Sequence, residues 1–334
     1  SIKTENSMQT FLSNAADATF SITKNTESAV GSSTGETGES IGATAGNGKT
    51  YTINGNGNTL TGFAADKGND GFTVSATDTL SFNGVKTGSA TKNTVMSNFG
   101  TAFNNQGNLS VSNMTLNNNG TAINNSATVT SADKLNLTNN TTAIQNSGTM
   151  TASDLTFEGN TTDIANSGTL NLSGTNSIKS KVTGNAGTLN ITAGATTVAV
   201  GASVQQNKIE LTTSSAELNA NATDILAEIA NSGVVNFSGD DGTTAKGVVT
   251  KNISGGGTLN IKDTMSVGTS SDATEVQVAQ GSVNVGASDN TGVALTNWGH
   301  IEGAVNNWGT IYNNSANTVQ ITADSVNNGT ISED

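Results

Sequence analysis

The sequence predicts an all-β fold, a parallel β-helix in which about three short strands make one coil of about 20 residues. Three observations carry this expectation: a string that returns at a near-constant interval, apolar residues that alternate within it, and the absence of proline from all 334 positions. Central strands of a solenoid must all donate main-chain hydrogen bonds, which proline cannot do.

The repeat reads TAFNNQGNLSVSNMTLNNNG from Thr101, TAINNSATVTSADKLNLTNNT from Thr121, TAIQNSGTMTASDLTFEGNT from Thr142 and TDIANSGTLNLSG from Thr162, so the starts are evenly spaced to within one position. Self-similarity at a fixed period of this size marks an architecture in which each unit buries its apolar face by stacking on its neighbours. Superposed, the units keep Phe103, Ile123, Ile144 and Ile164 in one apolar column, and Leu109, Val129, Met150 and Leu170 in a second. Leu116, Leu137 and Phe157 form a third. Val111, Ala152 and Leu172 extend the second column by two residues, and Met114, Leu135 and Leu155 do the same for the third. That is the alternation of short strands with one face inward. A leucine-rich repeat of similar period would need a denser leucine framework, and no stretch sustains apolar residues at helical spacing.

Stacking also gives the asparagines of the turns a role. Asn105, Asn125, Asn146 and Asn166 fall in one column after the apolar residue, and Asn231 in IANSG is expected to rejoin it. Asn tolerates the left-handed backbone of a sharp turn, and stacked amides can hydrogen-bond as a ladder. The turn and the strand behind it persist as GTLNI at Gly187, GVVNF at Gly233, GTLNI at Gly257, GSVNV at Gly281, and GTI at Gly309 and Gly329. The long interval from Gly187 to Gly233 fits two coils; the short one from Gly299 to Gly309 suggests a signal carried on two sides, or irregular coils.

Residues 1–46 read as an N-terminal cap with a flexible Gly/Ser/Thr-rich loop, and residues 47–334 as the β-helix, opening with GKTYTINGNGNTLTGF from Gly48. A cap protects the open end of such a helix from edge-to-edge pairing. No apolar run is long enough to span a bilayer as a helix, and Ser1 in place of Met suggests a processed segment of an exported precursor.

The formal net charge is −13, and all 13 basic residues are lysine. Nucleic acid is therefore a poor partner, since phosphate binding depends on clustered Lys and Arg. His300 is the only histidine, and no nucleophile motif accompanies it, so a Ser-His-Asp triad is not supported. Asp133, Asp154, Glu158 and Asp163 are scattered; Asp240 and Asp241 are the best adjacent carboxylates and suit an exposed turn. No metal or cofactor motif is present.

Trp298 and Trp308 each precede Gly in NWG, the slot that Ser147, Ser167 and Ser232 fill in the NSG turns. An outward-facing indole can stack on a sugar or anchor a protein, or it can cover the last coils of the core. Tyr312 is a third candidate anchor. Thr121, Thr142 and Thr162, with Thr138, Asn139 and Asn140, are expected as outward polar rows.

The recurring NSGTLNLSG, NAGTLNIT, NSGVVNFSG and NNGTIS, on coils of this period, resemble the passenger domains of Gram-negative autotransporters, closest to the AIDA-type self-associating adhesins. The resemblance spans roughly residues 47–334 and implies a right-handed β-helix at the bacterial outer-membrane surface, outside the cell, with a membrane β-barrel elsewhere in the precursor. It carries over no catalytic residues. What it implies is a non-enzymatic adhesin that self-associates with passengers on neighbouring cells through rows of polar side chains, giving aggregation and biofilm. The alternatives are attachment to a host matrix protein or glycan through Trp298, Trp308 and Tyr312, or a carbohydrate-active β-helix enzyme or phage tail-spike relative.

Overall fold

The computed structural model describes residues 18–22, 26–27, 48–62, 70–85, 92–238, 247–314, 316–322 and 324–333. The chain is an all-β solenoid of parallel strands, with about 12 turns of roughly 20 residues. The one helical turn among the described residues is the 3-10 segment Ala222–Asp224, capped by the Asn221 side chain. The chain divides into two compact units, Ser1–Asn171 with Ile178–Val182, and Leu172–Ser177 with Thr183–Asp334.

In the first unit each coil has three sides. The first side stacks Thr50–Asn54, Thr79–Asn83 and the leading half of Asn108–Asn117 in register. Thr59–Thr61, Thr94–Ser97 and the trailing half of Asn108–Asn117 form the second side. Asp70–Val74, Thr101–Asn105, Thr121–Asn125, Thr142–Asn146 and Thr162–Asn166 form the third. Residues Ala18–Ser21 and Thr26–Glu27 also pair in parallel, with Tyr51–Asn54 and Leu60–Thr61, so stacking reaches into the stretch expected as a cap.

The apolar columns are the core. Phe103, Ile123, Ile144 and Ile164 are register partners on the third side, Leu109, Val129 and Met150 on the first, and Leu116, Leu137 and Phe157 on the second. All are fully buried, each burial being worth about 1.5–3 kcal/mol against exposure. Phe72, Phe82 and Phe103 meet across the interior with ring centroids 5.4–5.7 Å apart.

The corners use two devices. Between the first and second sides the chain turns on a single residue in the left-handed region, Asn113, Lys134 or Asp154; between the second and third, Asn98, Asn118, Asn139 and Gly159 take that conformation. The Asn105 column does not: its backbone is extended, so its asparagines are there for their side chains. Asn105 Nδ2 donates to Asn125 Oδ1 at 2.7 Å, Asn125 to Asn146 at 2.7 Å, and Asn146 to Asn166 at 2.8 Å. Each rung also holds main chain: Asn125 Oδ1 accepts the Ala127 N–H, and Asn125 Nδ2 donates to Thr149 O. The glycine in these turns follows from the close stacking, because a Cβ on Gly168 would run into the carbonyl oxygen of Gly148 below it.

In the second unit the same turn chemistry moves between corners. Thr188, Lys208 and Glu228 are successive first-side partners, each one coil beyond the last, and the short run from Glu228 to Val234 crosses to the second side. Gly233, Gly257 and Gly281 therefore precede second-side strands, Val234–Ser238, Thr258–Ile261 and the end of Gln277–Val285. Asn231 thus does not rejoin the third-to-first corner that Asn105, Asn125, Asn146 and Asn166 occupy in their unit. It turns the first side into the second, and its Nδ2 reaches past one coil to Gln280 Oε1 at 2.7 Å. The skipped coil has Gly255 to Gly257 there, and a Cβ on Gly257 would come within 2.7 Å of the Asn231 amide. Gly299 and Gly309 mark two corners of one coil, with Asn297 bonding Asn313 and Asn307 bonding Asn327 on separate short ladders.

Replacing Asn146 by alanine removes the acceptor of the Asn125 amide and the donor to Asn166 Oδ1, together with the bonds that Asn146 Nδ2 makes to Gly148 O and Thr169 O. Urea unfolding is expected to show a loss of about 2–4 kcal/mol, with Gln145→Ala, on the outward face, nearly neutral; equal losses for both would refute the ladder's role.

Candidate functional site

The polar residues of the surface form columns. Thr101, Thr121, Thr142 and Thr162 are register partners at the start of the third-side strands, all half-buried. Further along the same strands lie Asn104, Asn124 and Gln145, where Asn124 Nδ2 donates to Asn104 Oδ1 at 3.1 Å and Asn104 Nδ2 to Asp70 Oδ2 at 3.2 Å. Around the corner, Thr138 Oγ1 and Asn139 Nδ2 both donate to Asn117 Oδ1, at 3.0 and 3.1 Å.

Asn140 does not belong to that exterior. It is buried within a second inner ladder in which Asn119 Nδ2 donates to Asn140 Oδ1 (3.1 Å), Asn140 to Asn160 (3.0 Å), and Asn160 to Asp163 Oδ1 (3.0 Å). Each amide oxygen also accepts a main-chain N–H from the coil below, and the buried Asp163 closes the series by accepting from Lys179 N and Ser180 N at 2.7 and 2.8 Å. The sequence signal was an Asn at the one-coil spacing after each left-handed residue, which turns the next side chain inward.

The second unit carries an outward ladder that sequence reasoning passed over, in the asparagine that closes ELN, VVN, TLN, SVN and AVN. Asn236, Asn260, Asn284 and Asn306 each donate to the Asn one coil earlier, at 2.9, 2.8, 2.7 and 2.8 Å. Asn260, Asn284 and Asn306 line a groove of about 750 Å³ that is also bounded by Lys262, Asp289 and Trp308.

The three aromatic candidates are not brought together. Trp298 is half-buried at the corner before His300–Asn307, its main-chain N–H bonded to Val267 O at 2.9 Å. Trp308, also half-buried, stands at the corner before Thr310–Asn313, with its main-chain N–H on Val285 O. Tyr312 lies on the outer face of that strand, 41% exposed, and does not line the groove. His300 Nε2 is 3.8 Å from Glu302 Oε2. Asp240 and Asp241 lie outside the described residues.

No protein-family model, no curated protein and no solved structure matches the chain.

Near Trp298, Asn317 Nδ2 donates to the Trp298 carbonyl at 2.9 Å and to Glu275 Oε1 at 3.0 Å. These amide contacts, first Asn317 and then Gln277, hold the Glu275 carboxyl below its ordinary value, with a smaller contribution from the charge of His300. A depressed carboxylate contributes its stabilisation above the unfolded pKa and loses it as pH falls through the folded one. Carboxyl-carbon NMR is expected to show Glu275 titrating below the ordinary glutamate value, and Asn317→Ala to raise its midpoint; an unmoved midpoint would remove Asn317 as the cause.

Proposed function

We propose that the chain is a non-enzymatic adhesin of the autotransporter passenger type, displayed on the outer surface of a Gram-negative bacterium, that binds copies of itself. The observation that carries this reading is the in-register outward column of Thr101, Thr121, Thr142 and Thr162 beside Asn104, Asn124 and Gln145. Their repeat along the coil is about 4.8 Å. A partner with the same repeat meets every rung once it meets one, and a net of about 0.5–1.5 kcal/mol per hydrogen bond accumulates.

Charge sets the conditions. Two copies at −13 repel each other at long range, and salt at about 0.15 M screens that repulsion beyond about 8 Å while leaving short hydrogen bonds intact. Sedimentation velocity over a broad concentration range is expected to show reversible dimers or larger species that strengthen from low to physiological salt. Thr121→Lys with Thr142→Lys and Thr162→Lys should abolish them. A monomer at every concentration and salt would overturn self-association.

A further inference from the structure

We propose that the groove between the 286–290 loop and Trp308 binds an uncharged, extended oligosaccharide, a function separate from self-association. Its floor, wall and charge each point to that ligand.

The floor is the outward ladder. Asn260, Asn284 and Asn306 repeat once per coil, about 4.8 Å, close to the length of one pyranose ring along an extended glycan. A carboxamide has two N–H donors and an oxygen that accepts twice. The ladder bond uses one N–H of Asn284 on Asn260 Oδ1, and among the described residues its second has no acceptor. Among the described residues no donor reaches Asn306 Oδ1, whose amide nitrogen is turned back to Asn284 and Ser282. The groove floor therefore offers a donor at Asn284 and an acceptor at Asn306, one coil apart, to the hydroxyls of a sugar.

One wall is Trp308, in a turn slot that serine fills in the Asn-Ser-Gly corners. An indole supplies a flat apolar face for the C–H side of a sugar ring and an N–H at its edge. The 286–290 loop, which also lines the groove, is tied down by its own hydrogen bonds. Ala287 and Asn290 exchange main-chain hydrogen bonds of 3.0 and 2.9 Å, and Asn290 Nδ2 donates to Lys262 O at 2.8 Å. Gly286 is required there, since it has φ +70° and a Cβ would meet the Asn290 carbonyl oxygen. At about 750 Å³ the groove falls within the size of small-ligand sites and takes about two or three sugar rings.

Charge selects the class. Lys262 and Asp289 bound the groove without an ion pair between them, so each is available to a hydroxyl. One lysine in a chain of net charge −13 does not compensate a polyanion, which the surrounding field repels.

The test is calorimetric titration of the full chain with cellohexaose and with the hexamer of N-acetylglucosamine, followed in parallel by tryptophan fluorescence. At least one is expected to bind. Trp308→Ser is expected to weaken that binding about tenfold or more, and Asn306→Ala about threefold or more, whereas Trp298→Ser leaves it unchanged. Both serine variants restore the residue of the Asn-Ser-Gly corners, and unaltered thermal melts verify that they fold. No heat from either oligosaccharide up to about 10 mM, a range that covers the weakest specific sites, would overturn the proposal. So would equal binding by Trp308→Ser, or binding confined to a uronate oligosaccharide. Sedimentation of Trp308→Ser keeps the two functions apart, because its self-association is expected to match that of the parent chain.

Discussion

The parallel hydrogen-bond ladder from coil to coil is the constraint on which the rest depends. It sets one translation, about 4.8 Å, and imposes it on every column. An apolar residue facing inward then packs on its own kind, as Phe103, Ile123, Ile144 and Ile164 do. A polar residue facing inward must find its partner in the neighbouring coil, because water has no access. Asparagine solves this in a way serine cannot, since its amide donates to one neighbour and accepts from the other while still holding main chain at the corner.

The same translation acts on the outside with a different result. There the columns need no partner for stability, and the spare hydrogen-bonding capacity faces solvent at fixed intervals. In the first unit this gives the threonine column, in the second the asparagine floor beside Trp308. The fold thus builds periodic surfaces without any single residue being specialised, and specificity enters only where a coil adds something irregular. The 286–290 loop and the tryptophan in the serine slot are such additions.

The period, the three sides and the apolar columns were legible because burial constrains chemistry: only apolar residues survive at Leu109, Val129 and Met150. The rest was hidden because one residue type serves opposite environments. Asn139 is exposed and Asn140 buried although they are adjacent and identical, and the left-handed backbone at Asn139 decides which turns inward. The asparagine-glycine turn was recognisable everywhere, but its chemistry fits any corner, so nothing in IANSG told that Asn231 turns the first side into the second. Trp308 was visible as an oddity; the groove was not, since its members come from coils of unequal length between Asn260 and Asn306.

The buried Asp163 has a consequence of its own. The side-chain bonds run one way, from Asn119 to Asn140 and from Asn140 to Asn160 one coil on, and end with Asn160 on Asp163 in its own coil, while each amide also donates back to a main-chain carbonyl of the coil before. A carboxylate accepts and has no N–H to pass on. It acts on the column as a terminating monomer acts on a growing polymer: copies of the coils before it lengthen the chain of amides, and a copy of its own coil ends one. The side chain that ends the amide series does not end the solenoid, because the main chain at Lys179 and Ser180 takes over as its donor.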